Sequence, residues 1–99
     1  MGKSVSYSVK ATQRETVLCE DGCEVQAKGT TIYLGYDNSG GGWPQWGTDV
    51  PFSTPWESAD EALETAREMD GMPWWNKPDM TTLKAIRITS TKSRTVEEA

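Results

Sequence analysis

Apolar and polar residues alternate near the start of the chain: Val5, Tyr7 and Val9 fall on one side, Ser4, Ser6 and Ser8 on the other. A period of two over residues 3–10 predicts a half-buried β-strand. Residues 15–19 and 23–28 predict two strands of a hairpin. The turn between them, Glu20-Asp21-Gly22, has glycine where a three-residue loop needs a left-handed backbone. Its register brings Cys19 near Cys23. Residues 30–36 are β-branched and aromatic and predict another strand, with Ile32 and Leu34 on one face. The glycine-rich segment Asp37 to Gly42 reads as a hairpin loop, and Trp43-Pro44-Gln45-Trp46-Gly47 as a short return strand. Pro44 cannot donate to a ladder, so that strand belongs at a sheet edge.

The period then changes. Ala59, Ala62, Leu63, Ala66 and Met69 share one helical face, while Glu57, Glu61, Glu64 and Glu68 face water. Ser58-Ala59-Asp60-Glu61 is a capping box, and Gly71 suits the C-terminal end. Thr54, Pro55 and Glu57 offer a rival start one turn earlier, which would put Trp56 on the helix. A second loop, 71–78, leads to a final strand at Leu83–Thr89. Lys84 and Arg87 have opposite parity there, so one points inward or the strand bulges. Strands grouped around one helix predict an α+β domain: an antiparallel sheet of four to six strands, with the helix (about 58–70) packed on one face. Residues 1–92 form one compact domain, and 93–99 a flexible C-terminal tail.

Charge is unevenly placed along this frame. The net charge is −5, but residues 31–79 hold nine acids against Arg67 and Lys77, or −7, and the last twenty residues carry +2. Nucleic-acid affinity comes from phosphate neutralisation by Lys and Arg, so direct DNA or RNA binding is not expected. An acidic face attracts a basic partner and speeds encounter; equally, it keeps an aromatic-rich protein soluble. No apolar run approaches the roughly 20 residues that span a bilayer, and residues 1–6 lack an apolar signal region. Gly2 and Ser6 fit a myristoylation pattern that is short enough to arise by chance. No membrane association is expected, and the expected location is the cytoplasm.

Candidate chemistry is sparse. The chain has no histidine, so the commonest general base near neutral pH is missing and no Ser-His-Asp or Cys-His arrangement can form. Gly40-Gly41-Gly42 runs into Trp-Pro rather than a helix, unlike a phosphate-binding loop. The carboxylates that could form a glycosidase pair sit mostly on the helix face turned to solvent. Cys19 and Cys23 supply two of the four ligands usual for structural zinc. Reduced thiols are expected in a chain without a signal region; a cross-hairpin disulfide is the alternative in an oxidising compartment. No enzyme activity and no cofactor are expected.

Five tryptophans in 99 residues, all between positions 43 and 75, exceed what a small core needs. Indoles bury a large rigid surface at little entropic cost, which enriches them at interfaces. Trp56, beside the helix cap, is assigned to the core. Trp43 and Trp46 on the hairpin, Trp74 and Trp75 on the later loop, Asp37 and Asp49 near the hairpin, and Glu64 and Glu68 on the helix are the candidate partner-binding residues. The bland alternative is that all five rings fill the space between helix and sheet.

Residues 30–90 resemble a pattern common in small uncharacterised phage and bacterial proteins. Its parts here are the strand Ile32 to Tyr36, the glycine-rich aromatic hairpin Gly40 to Trp46, the helix start Trp56-Glu57-Ser58-Ala59-Asp60-Glu61-Ala62, and the closing strand Leu83 to Thr89. Proteins with this pattern look like inhibitors or modulators of host proteins, anti-CRISPR and related anti-defence factors among them. The resemblance supplies no active-site residue. It implies a phage-encoded, non-enzymatic binder, monomer or homodimer, that engages a host protein with a basic surface. The competing expectation is a small-ligand or carbohydrate module in which Trp rings stack on a sugar and Asp37, Asn38 or Asp49 bind its hydroxyls.

Overall fold

The computed structural model describes residues 4–37, 42–51, 54–69, 77–90 and 94–99. The fold is α+β. Its strands are β1 (Ser4–Thr12), β2 (Val17–Leu18), β3 (Glu24–Gln26), β4 (Thr31–Asp37), β5 (Trp43–Gly47), β6 (Lys84–Ser90) and β7 (Arg94–Glu98), and its helix is α1 (Ala59–Glu68). Five strands form an antiparallel sheet in the order β5-β4-β1-β6-β7, while β2 and β3 form a separate two-stranded sheet. β5 lies at an edge, where Pro44 requires it.

β1 is the central strand, and this explains its departure from simple alternation. Val9 and Ala11 join Ile32, Leu34 and Trp46 on one face, and α1 covers them with Ala62, Ala66 and Met69. The serine side, expected in water, is buried as well: Ser8 is 0% exposed and Ser6 is buried. Ile86 and Ile88 pair with these two serines across the ladder and are also buried. Serine is tolerated there because its hydroxyl finds partners. Ser8 Oγ donates to the Leu34 carbonyl, and Ser6 Oγ accepts from the Thr54 N–H at 3.4 Å. The chain after β5 therefore crosses this second face. Pro51 sits over Gly35, 3.8 Å from where a Cβ would stand. The strand next to β1 then changes: β4 pairs with Lys10 to Thr12, whereas Trp56 bridges Tyr7, whose N–H donates to the Trp56 carbonyl at 3.2 Å.

α1 begins at the later of the two candidate starts, and Trp56 lies in the bridge before it. The Glu61 N–H donates to Ser58 Oγ at 3.2 Å, while Glu61 Oε2 accepts from the Glu57 N–H at 3.0 Å, one residue before the usual partner. The expected C-terminal residues Asp70 and Gly71 lie outside the described residues; the last described cap is Met69.

The C-terminal residues differ from the expected tail. Arg94–Glu98 pair with β6 as an edge strand, from Ser90↔Arg94 to Ile86↔Glu98. Thr95 and Val96 favour a strand but Glu97 and Glu98 do not, and it is the open ladder of β6 that pairs the whole segment. The parity puzzle of β6 resolves without a bulge. Arg87 lies on the same face as Val9, beside Tyr7, and its guanidinium donates to Glu97 at 2.9 Å. Lys84, on the other face, lies 3.9 Å from Glu98, which also pairs with Lys10 at 3.0 Å. Hydrogen bonding and charge from Lys10, then charge from Lys84, hold the Glu98 carboxyl below its usual range.

Gly42 closes the β4–β5 hairpin at φ +85°, and a Cβ there would stand 2.8 Å from Tyr36 Oη. The Tyr36 ring cannot simply swing away, because it meets Trp56 edge-on at 6.2 Å. Gly42→Ala is expected to cost at least about 1–2 kcal/mol from the left-handed backbone alone. A urea midpoint indistinguishable from the parent would show that the hairpin relaxes freely.

Candidate functional site

The described residues of the predicted site do not converge on one surface. Trp46 is 6% exposed and belongs to the core, opposite Leu34 on β4. Its assignment to a binding surface is corrected for a simple reason: in a five-residue edge strand, alternation turns every second side chain inward. Trp43 is 40% exposed and, three residues earlier, lies on the opposite face from Trp46 and thus away from α1. Asp37 pairs with Trp43 across the hairpin through the backbone. Asp49 is exposed just after β5. Trp74 and Trp75 lie outside the described residues. Trp56 is 8% exposed, as its assignment to the core requires.

Two arrangements result. The first is the outer face of α1. Glu64 and Glu68 are exposed there together with Glu57, Asp60 and Glu61, and Arg67 is the one exposed cation within that stretch. The geometry follows from the amphipathic pattern, since burying Ala62, Ala66 and Met69 leaves the carboxylates outward. Among the described residues, the ion pairs join Lys10, Lys84 and Arg87 to β7, and none involves an acid of α1.

The second is an open groove of about 530 Å³ on the sheet face opposite α1, lined by Tyr33, Gln45, Gly47, Asp49 and Pro51 among others. Tyr33 and Gln45 were not among the predicted site residues. Shared strand parity with the Gly35↔Gln45 pair is the signal that unites them, and it requires the register of β4 against β5.

The carboxyl of Asp79 is lowered by the hydroxyl and then the backbone N–H of Thr81, which it caps. Arg87 is raised by its bond to Glu97. Both shifts belong to local structural partners outside the groove. Among the described residues, no three His, Cys, Asp or Glu side chains gather as a metal site would require, and no helix is long and apolar enough to cross a membrane. No protein-family model matches the chain, and no match is found among curated proteins or solved structures.

Proposed function

We propose that the chain is a non-enzymatic protein-binding domain that presents the acidic outer face of α1 to a basic surface on a partner. The observation that carries this reading is the row of exposed carboxylates on α1, none of which forms an ion pair among the described residues. Like charges presented along one helix face complement a basic surface and steer its approach. The phage-encoded inhibitor role, directed at a host defence protein in the host cytoplasm, rests on the resemblance of residues 30–90. Trp43 lies across the sheet from α1 and is not part of this surface.

The test is capture of partners from bacterial lysate at low and high salt, with Glu64→Lys and Glu68→Lys as controls that leave the core intact. One dominant partner should be lost at high salt. Each charge reversal should weaken its binding by about tenfold, the equivalent of roughly 1.4 kcal/mol. Binding indifferent to both salt and reversal would overturn the reading.

The groove beside Tyr33, Gln45 and Asp49 favours a second reading, a small-ligand or carbohydrate module. A neutral sugar would bind with little dependence on ionic strength, which separates the two.

A further inference from the structure

The β2–β3 hairpin holds the chain's two cysteines together at its tip. The Cys19 N–H donates to the Cys23 carbonyl at 2.8 Å, and the Gly22 N–H donates to the Cys19 carbonyl at 3.0 Å. Gly22 has φ +85°. These are the bonds of a three-residue loop with a glycine bulge, which sets residues 19 and 23 opposite one another. Backbone partners of this kind have Cα atoms about 5.5 Å apart, within the range that a disulfide spans. The side chains already converge, for Cys19 Sγ accepts from the Cys23 N–H at 3.1 Å. Both cysteines are free; Cys23 is exposed and Cys19 partly so.

We propose that Cys19 and Cys23 form a thiol–disulfide exchange site that takes low-molecular-weight disulfides, with Cys19 as the attacking sulfur and Cys23 as the resolving one. The Cys19 thiolate attacks one sulfur of the small disulfide. A mixed disulfide forms on Cys19 and one small thiolate leaves. Cys23 gives its proton to solvent and attacks Cys19 Sγ, which closes the Cys19–Cys23 bond and releases the second small thiol. The two protein thiols are oxidised by two electrons, and the small disulfide is reduced to two thiols.

The order of attack follows from the geometry: Cys19 Sγ accepts from the Cys23 N–H, and a donor aimed at the sulfur favours the thiolate there. Desolvation on its own raises the Cys19 thiol, but hydrogen bonding with the Cys23 side chain and with the backbone of Cys23, Asp21 and Cys19 outweighs it, so the net shift is downward. Thiolate character governs exchange. The structural consequence is local. β2 and β3 form a two-stranded sheet, and Leu18 and Val25 on it are exposed. An isolated hairpin of this size is marginal in water, so a covalent bond at its closing pair holds the arm in one register.

The experiment treats the reduced full chain with glutathione disulfide and follows intact mass. The expected product has lost two hydrogens and retains no glutathione. Cys23→Ser should stop at one retained glutathione, and should form that adduct several-fold faster than Cys19→Ser forms its own. Circular dichroism checks that both variants, changed at an exposed hairpin tip, remain folded. A parent chain that accumulates glutathione on either cysteine, or that forms only intermolecular disulfides, would overturn the proposal. Equal rates for the two single variants would overturn the assigned order of attack.

Discussion

Trp56→Ala is expected to remove about 3–5 kcal/mol of stability, a large share of the 5–15 kcal/mol typical of a domain. Trp56 joins three parts of the fold. Its carbonyl accepts from Tyr7 on β1, its Nε1–H donates to Thr65 Oγ1 on α1 at 2.9 Å, and its ring meets Tyr36 of β4 at 85°. Truncation to alanine leaves a cavity between helix and sheet and strips Thr65 of a partner. Trp56→Phe keeps most of the ring but loses the donor, and should cost less, about 1–2 kcal/mol. Urea unfolding followed by far-ultraviolet dichroism measures both. Helix and sheet should melt together, since α1 has ten residues and short helices are marginal alone. Loss of helix signal ahead of the sheet, or equal costs for Ala and Phe, would show that Trp56 is not the clamp.

Trp46→Ala should be similarly costly, about 3–5 kcal/mol, whereas Trp43→Ala should change stability by less than about 1 kcal/mol. The two residues have the same chemistry and stand three positions apart. They differ in burial, 6% against 40%. Trp46 packs with Ile32 and Leu34 beneath α1, and its loss cannot be filled by neighbours that are already fully buried. Trp43 terminates the β4–β5 hairpin on the other side of the sheet. Midpoints from urea titration of the two variants, at equal slope, give the comparison directly. Equal destabilisation would place both rings in the core; a mild effect at Trp46 would return it to the surface.

Where local chemistry decides, the residues were legible. The Glu20-Asp21-Gly22 turn requires a left-handed glycine whatever surrounds it, and Gly22 adopts one. Ser58 caps α1, and the spacing of Ala62, Ala66 and Met69 fixes its buried face. Pro44 excludes β5 from the sheet interior. Each of these follows from hydrogen-bonding capacity or side-chain period within a few residues.

The candidate site was less legible. Glu64 and Glu68 are exposed because the opposite helix face is apolar, which the sequence pattern already implies. Trp46 and Trp43 are both tryptophans on one short strand, and only the direction of the neighbouring β4 tells which is inward. Strand β7 shows the same limit, since its residues acquire strand structure from an open ladder on β6.

By itself the amino-acid sequence determined the α+β class, the start and buried face of the helix, the hairpin turn that joins the two cysteines, and the acidity of the α1 surface. All are set by interactions that close within one element or one turn. Only the tertiary structure decided that β1 is central and covered on both faces, that Ser8 is buried against the Leu34 carbonyl, that β7 completes the sheet, and that Trp43 and the carboxylates of α1 lie on opposite sides. The physical reason is that burial belongs to pairs of distant segments. Strand order and the path of the chain across the second face assign it, and no local period encodes either.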